Sequence, residues 1–293
     1  MKKYKILLVP DAPNWAFDNI ANARIEHNPY PELIEYTKMY IKDKPFLKEF
    51  NELDYDLVYV FFEGETVSGR NIVKGCYSQY WLENPKYTPQ VLGRMFSDCA
   101  GVVFANDVLK EKILPHIDDE TSIAVIHDAS DEKKFYPKRI SKEKNFTVLF
   151  VGNTLRPIKR FHEIVDICEQ AKVQLIFAKD VPHDELIDYY NVAHLSINFS
   201  LAEGGPQTFL ESSLCEVPML ICADNALSER IPCFTAITKR GMIERLKYLK
   251  SRRGLVRDIG KEARKVVLQE FTYRHAAKKF ADFFINIIKQ NES

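Results

Sequence analysis

Residues 195–223 read LSINFSLAEGGPQTFLESSLCEVPMLICA, and this stretch decides the fold. It contains an apolar run over 195–200, a turn with two glycines and a proline, a segment of helical composition from about residue 207, and a second apolar run over 217–223. Short apolar runs bounded by turn residues are typical of buried parallel strands. A strand, a helix and a strand in succession predict one βαβ unit.

The same alternation continues on both sides of this unit. We predict further strands over residues 4–10, 55–62, 100–106, 122–128, 146–152 and 173–178. Helices are predicted from residue 15 onward, over 108–117, 159–171 and 183–193, and in two charge-rich segments over 242–271 and 274–290. Repeated βαβ units imply parallel sheets covered by helices, so the predicted fold class is α/β.

A polar stretch over residues 128–145 interrupts the pattern, and we interpret it as a linker. It divides the 293 residues into two Rossmann-like domains, at 1–142 and 143–271, and a C-terminal helix at 272–293 that we expect to pack on the first domain. Ligands of open parallel sheets collect at the carboxyl ends of the strands. We therefore expect a binding cleft between the two domains.

Composition excludes several classes of function. Lys and Arg together number 41, as do Asp and Glu, whereas nucleic-acid binders need a basic excess. No apolar run is long enough for a signal peptide or a membrane span, so we expect a cytoplasmic protein. The basic run over 239–265 leaves membrane contact open, although a solvated helix face is favoured. The six cysteines lack metal-ligand spacing and are interpreted as reduced, buried thiols.

The turn inside the deciding stretch carries the most informative chemistry. Its glycines let the backbone come close to a ligand, and Pro206 suits the first turn of a helix. A helix N-terminus attracts anions such as a diphosphate. Glu203 in the turn and Glu211 inside the helix could accept hydrogen bonds from sugar hydroxyls. The alternative is that Glu203 only complements the helix dipole and Glu211 is a solvated surface residue.

The spacing of Glu203 and Glu211, followed by SLCEVP, resembles the donor-site signature of glycosyltransferase family 4, whose members are retaining enzymes of GT-B fold and typically read E-G-x-x-x-x-x-x-E-A-x-A-x-G-x-P. Four further segments resemble the family in the right order, at 127–137, 148–161, 181–204 and 269–284. The resemblance extends over about residues 98–290 and is thin in the first 95. It implies a GT-B fold, with two Rossmann-like domains across a cleft.

The resemblance also implies roles for individual residues. Glu211 would bind the ribose hydroxyls of a nucleotide, Glu203 would contact the transferred sugar, and Lys159 would contact the diphosphate. The family's second diphosphate-binding cation, an arginine, is replaced by Asn153, so its charge is expected from Arg156 or Arg160, or Lys159 acts alone. The backbone next to the sugar and phosphates would be that of Gly204, Gly205, Pro206, Gln207 and Thr208. The base would be read largely by backbone groups near residues 178–184.

The implied activity is retaining, metal-independent transfer of a hexose from a nucleotide-diphosphate sugar, a UDP-sugar being favoured, to a hydroxyl of a glycan, lipid or protein. No cofactor is expected, because a fixed lysine and a helix N-terminus can stabilise the charge of the leaving diphosphate. The D-x-D pattern at residues 54–56 precedes a predicted strand, so strand-start capping is favoured over metal binding. Two alternatives remain: an inactive nucleotide-sugar-binding partner subunit and, less favoured by the glutamate spacing, a GT-B-shaped epimerase.

The first domain departs from the family pattern. The loop after the first strand reads DAPNW (11–15) instead of being glycine-rich. No histidine lies between His27 and His116, where the family often has one near the reacting sugar, and residues 76–78 occupy the approximate place. The acceptor-side candidates are Asn14, Trp15 and Tyr77. An aromatic platform of Trp15, Tyr77, Tyr80 and Trp81 is one interpretation, and core packing is the favoured one.

Overall fold

The computed structural model describes residues 3–14, 16–41, 54–61, 67–138, 140, 142, 144–201, 205–222 and 226–292. The chain divides into two compact units, residues 1–127 with 273–293, and residues 128–272. Each unit contains one sheet in which every described strand pair is parallel. The α/β class and the parallel sheets predicted from the sequence are confirmed.

The described part of the first unit forms a six-stranded sheet of order β2-β1-β3-β4-β5-β6. Its strands are β1 Tyr4–Val9, β2 Ile34–Lys38, β3 Leu57–Val60, β4 Gly69–Cys76, β5 Cys99–Phe104 and β6 Ser122–Val125. Its helices are α1 Ala16–Glu26, α2 Pro89–Ser97 and α3 Asp107–Ile113, with 3-10 turns at Tyr80–Leu82 and Leu114–His116. Side chains of Thr88 and Asn106 cap α2 and α3, which fixes where these helices begin.

The second unit forms a five-stranded sheet of order β11-β10-β9-β7-β8. Its strands are β7 Thr147–Val151, β8 Gln174–Ala178, β9 Leu195–Asn198, β10 Met219–Ile221 and β11 Phe234–Thr235. Its helices are α4 Phe161–Ala171, α5 Leu186–Val192, α6 Gln207–Leu214, α7 Lys239–Lys250 and α8 Arg253–Glu270, with 3-10 turns at Pro157–Lys159 and Ala226–Glu229. The deciding stretch folds as β9, α6 and β10, as predicted.

The last helix, α9 Tyr273–Glu292, belongs to the first unit. Its apolar stripe is buried because Phe280, Phe284 and Ile287 join the core cluster that also holds residues of β1, β3 and β5. Apolar residues three, four and seven apart lie on one face of a helix, which is the pattern these residues follow. The apolar face of the amphipathic helix α9 therefore holds the end of the chain on the first unit.

Residues 128–138, interpreted above as the start of a linker, pack on the second unit. Phe135 lies in that unit's core and is fully buried. Asn191 of α5 accepts from the Lys138 N–H at 2.6 Å and donates to the Tyr136 carbonyl at 3.0 Å. The division between the two units consequently falls at 127/128, and not at the 142/143 boundary expected from polarity, because one buried ring and one buried amide hold this segment.

Candidate functional site

A loop and a turn lie side by side at the carboxyl ends of β7 and β9. Gly152 leaves β7 with φ +145°, a backbone conformation that favours glycine, and Asn153 accepts from the Leu155 N–H at 2.8 Å. The 3-10 turn Pro157–Lys159 follows. The Leu201 N–H donates to the Ile158 carbonyl at 3.0 Å. The turn that carries Lys159 is therefore attached to the loop that leaves β9.

The cations of this turn have different surroundings. Arg160 adopts a left-handed conformation at φ 51° and forms two hydrogen bonds to Glu163, at 2.5 and 2.6 Å. These bonds hold the pKa of the Glu163 carboxyl below its ordinary value. The Arg160 guanidinium also lies 3.8 Å from the centre of the Phe199 ring. Arg160 is thus held by Glu163 and by the Phe199 ring. In the adjoining turn, Lys159 is half-buried and Arg156 is exposed.

The N-terminus of α6 follows the same loop. Pro206 is the N-cap residue, at φ −65° and ψ 120°, and no side chain among the described residues caps this helix. Gln207 and Thr208 occupy its first turn, where backbone N–H groups lack intrahelical acceptors. Such a helix start is the arrangement that favours a bound anion.

Residues 128–130 lie against the start of α6. The Gln207 side chain donates to the Ala129 carbonyl at 3.2 Å. A Cβ atom on Gly205 would stand 3.5 Å from an oxygen of Asp128. Residues 128–130 belong to the 127–137 segment that resembles the family, so part of that segment borders the start of α6.

Glu211 is buried, with a side chain only 3% exposed, and each of its carboxylate oxygens accepts a hydrogen bond. Its Oε1 accepts from His183 Nε2 at 2.7 Å, and its Oε2 accepts from the Tyr190 hydroxyl at 2.7 Å. Burial, followed by the charge of Glu211, raises the pKa of Tyr190 well above its ordinary value. This geometry excludes the alternative in which Glu211 is a solvated surface residue.

His183 links Glu211 to a lysine. Lys134 Nζ donates to His183 Nδ1 at 2.9 Å and pairs with Asp184 at 2.5 Å. Because the ammonium group can only donate, His183 is the tautomer that carries its proton on Nε2 and donates it to Glu211. We call Lys134, His183, Glu211 and Tyr190 the Glu211 cluster.

Sequence reasoning did not find three members of the Glu211 cluster. His183 lies in the 178–184 stretch assigned to base recognition, but only backbone groups were expected to act there. Tyr190 and Lys134 carry no local signal, since Lys134 reaches His183 from 49 residues away in sequence. The Phe135 ring makes T-shaped contacts with both rings, its centre lying 5.2 Å from that of His183 and 5.8 Å from that of Tyr190.

The acceptor-side candidates lie in the first unit. Asn14 is exposed, has a left-handed conformation at φ 63°, and donates its N–H to Asp18 at 2.9 Å. Tyr77 is buried in the core, where its hydroxyl contacts the Tyr59 hydroxyl at 2.7 Å. Trp81 packs partly buried on the same core. Trp15, Glu203 and Gly204 lie outside the described residues, and Tyr80 falls within a 3-10 turn.

Tyr77 also accepts a hydrogen bond of 2.8 Å from a buried arginine, Arg24. The Arg24 guanidinium lies between three rings, 4.6 Å from the centre of Tyr59, 4.4 Å from Phe61 and 3.5 Å from Phe280. Its Nε and Nη1 atoms have no hydrogen-bond partner among the described residues. We call the three rings around Arg24 the aromatic cage. The caged Arg24 in turn fixes the position of the Tyr77 hydroxyl.

The D-x-D pattern at residues 54–56 directly precedes β3. Asp56 accepts from the Lys5 N–H at 2.7 Å, so this aspartate of the D-x-D pattern ties β1 to the start of β3. Within the described ranges, no group of three His, Cys, Asp or Glu side chains is arranged to hold a metal ion. The helices of the same ranges include none with the length and apolar character needed to cross a bilayer. The six cysteines, all within the described residues, form no disulfide with one another, and four of them are buried.

Comparisons with known proteins agree with this architecture. Residues 137–282 match a family model described as Glycosyl transferase-like. Curated protein sequences include no match to the chain. Among solved structures, sucrose-phosphate synthase from Thermosynechococcus elongatus superposes with a TM-score of 0.75 at 11% identity, over 98% of this chain and 100% of the other.

Two further structures show the same fold. HepE from Anabaena in complex with UDP-glucose gives a TM-score of 0.75 at 12% identity, over 97% of this chain and 100% of the other. A glycosyltransferase from Rickettsia africae gives 0.68 at 15% identity, over 99% and 100%. The chain therefore has the fold of GT-B glycosyltransferases, as predicted. The segment that matches the family model, residues 137–282, contains the second sheet with its turn and α6.

Proposed function

We propose that the chain is a retaining, metal-independent glycosyltransferase that moves a hexose from a UDP-sugar to a hydroxyl of a glycan, lipid or protein. The observation that carries the proposal is the hydrogen bond from Leu201 to Ile158, because it brings the Lys159 turn next to the loop that leads into α6. A cation and a helix N-terminus at one loop cluster suit a diphosphate. HepE is similar in fold and is seen with UDP-glucose, so UDP is the first nucleotide to test.

Each part of the donor has a proposed partner. The ribose hydroxyls would donate to Glu211, and the diphosphate would lie between Lys159 and the first turn of α6. The transferred sugar would contact Glu203 and the backbone over residues 204–208. Asn153, whose side chain is bonded to its own loop, supplies no charge. Arg156, exposed at the start of the 3-10 turn, is the second candidate for the diphosphate.

The proposed chemistry needs charge stabilisation and positioning. The bond between the anomeric carbon and the phosphate oxygen breaks, and a bond from the acceptor oxygen forms on the same face of the sugar. The acceptor proton passes to the leaving phosphate oxygen, so no protein base is required. Negative charge develops on the leaving UDP, where Lys159 and the α6 N–H groups stabilise it. Holding acceptor and donor in contact supplies the rest of the rate enhancement.

A second candidate function is a nucleotide-sugar-binding subunit without transfer activity. It is favoured by the first unit, where Tyr77 is buried and bonded and the sequence has no histidine between His27 and His116. Nucleotide binding alone does not separate the two candidates, because both need the second unit's site.

The test combines binding with turnover. UDP, GDP and ADP are added in thermal-shift measurements, and UDP is expected to raise the melting temperature most. UDP-glucose is then incubated with the protein in a buffer that contains a metal chelator. Slow release of free UDP is expected, because the proposed reaction needs no metal. Stabilisation without UDP release from any UDP-sugar would leave the binding subunit as the function. The absence of stabilisation by all three nucleotides would reject both candidates.

A further inference from the structure

The Glu211 cluster has one inner and one outer side. Tyr190 is fully buried and holds Oε2 of Glu211 from the protein interior. His183, whose side chain is 28% exposed, holds Oε1 from the solvent side. The Glu211 side chain is only 3% exposed, and of the two groups bonded to its carboxylate the His183 ring is the one that reaches solvent.

This arrangement conflicts with ribose binding at Glu211 while His183 stays in place. A carboxylate oxygen has lone pairs for a second donor, but a ligand hydroxyl must first reach it. The Tyr190 side cannot open without exposing the core formed with Phe135. The His183 side can open at less cost to the core, because Lys134, which holds the other ring nitrogen, is partly exposed. The partner of Lys134, Asp184, is 88% exposed.

We propose that His183 is a latch that covers Glu211 in the nucleotide-free protein and is displaced when a nucleoside diphosphate binds. The His183 Nε2–H gives up its bond to Oε1, and a ribose hydroxyl donates to Oε1 instead. Tyr190 keeps its bond to Oε2 throughout and positions the carboxylate. Lys134 keeps the latch in the tautomer that donates to Glu211. This inference rests on the proposed function, since it assigns the ribose to Glu211.

Displacement of the latch breaks the hydrogen bond from His183 to the charged Glu211 carboxylate. The free energy lost with that bond lowers the apparent affinity for UDP. Calorimetric titration with UDP is the measurement. His183→Ala is expected to bind UDP about tenfold more tightly than the wild type. His183→Gln can place an amide N–H where Nε2 stands, so its affinity should return toward that of the wild type. The matched control is His162→Ala, a change at an exposed histidine of α4 that should leave the affinity unchanged.

A spectroscopic measurement on the wild type avoids the risk that a variant misfolds. With imidazole nitrogens labelled, the Nε2 signal of His183 should shift on saturation with UDP, while that of His162 should stay. Unchanged or weaker UDP binding by His183→Ala, or an Nε2 signal that UDP leaves in place, overturns the latch even if the wild type binds UDP normally. A wild type that binds no UDP, GDP or ADP rejects the proposed function itself and the latch with it.

Discussion

The N–H of Leu201 and the carbonyl of Ile158 form a hydrogen bond of 3.0 Å. The two residues follow neighbouring strands of one parallel sheet, β9 and β7. Because parallel strands end at the same edge, the loops after them share that edge, and this bond fixes how they meet. The Lys159 turn is therefore tied to Leu201, the residue at the start of the loop before α6.

Lys159→Ala is expected to lower the turnover of UDP-glucose by roughly 10²–10³-fold, because a fixed charge near the leaving diphosphate is lost. Arg156→Ala, at the exposed start of the same turn, should have a smaller effect. Initial rates of UDP release at saturating donor measure both. Equal turnover by Lys159→Ala and wild type would remove Lys159 from the proposed site.

Glu203→Ala is expected to abolish turnover while UDP affinity is kept, because the proposed contact of Glu203 is with the sugar and not with the nucleotide. Titration with UDP and the rate of UDP release from UDP-glucose separate the two effects. Glu229→Ala, at an exposed carboxylate of the second unit, is the control for a general loss of charge. Loss of UDP affinity in Glu203→Ala would show that the glutamate has another role.

Glu211→Ala is expected to weaken UDP binding and also to lower the free energy of unfolding by about 1–3 kcal/mol, because the buried Tyr190 hydroxyl loses its acceptor. The double variant Glu211→Ala, Tyr190→Phe should recover part of that stability without recovering UDP binding. Urea unfolding and UDP titration of the three proteins are the measurements. A double variant less stable than Glu211→Ala would contradict the assignment of the cost to the orphaned hydroxyl.

Arg24 offers a test of the aromatic cage in the first unit. Arg24→Met fills the space between the rings without a charge, so it should be as stable as the wild type or more stable. Arg24→Lys should lose about 2 kcal/mol or more, because an ammonium group is more strongly hydrated and cannot span the rings as a planar guanidinium does. Thermal unfolding ranks the variants. A lysine variant more stable than the methionine variant would overturn this account of the cage.

His194 is expected to make stability depend on pH. Burial, then the charges of Lys142 and Arg253, lowers the pKa of His194 to about 4 from 6.5. Its Nδ1 accepts from the buried Thr147 N–H at 3.1 Å, a bond that protonation of Nδ1 abolishes. The unfolded chain binds the proton more readily, so the stabilisation is complete above pH 6.5 and is lost as the pH falls from 6.5 to about 4.

The expected loss over that interval is roughly 2–3 kcal/mol. Unfolding free energies of the wild type and of His194→Gln, measured between pH 4 and pH 7, give the contribution of this group. The glutamine variant should show a flatter dependence, because its side chain does not titrate. Parallel curves for the two proteins would mean that His194 does not contribute to the acid sensitivity.

Many strands and helices of the second unit could be predicted from local sequence patterns. Apolar runs such as 146–152 and 195–200 lie within a residue or two of β7 and β9, because buried parallel strands need continuous apolar side chains. Strand β4 was not predicted. It reads GRNIVKGC, and its Lys74 is only 1% exposed, so the sequence looks too polar for a buried strand. It is nevertheless a buried strand, because it pairs with β3 on one side and with β5 on the other.

The amino-acid sequence by itself determined the α/β class and the βαβ unit over 195–223, because these depend on side-chain periodicity. It also singled out the residues around α6 and Lys159 as site candidates, through their short spacings. The partners of Glu211 and of Tyr77 were decided only by the tertiary structure. His183 lies 28 residues from Glu211, and Arg24 lies 53 residues from Tyr77. Which polar groups meet in a buried space depends on how whole elements pack, and no local pattern of residues records that.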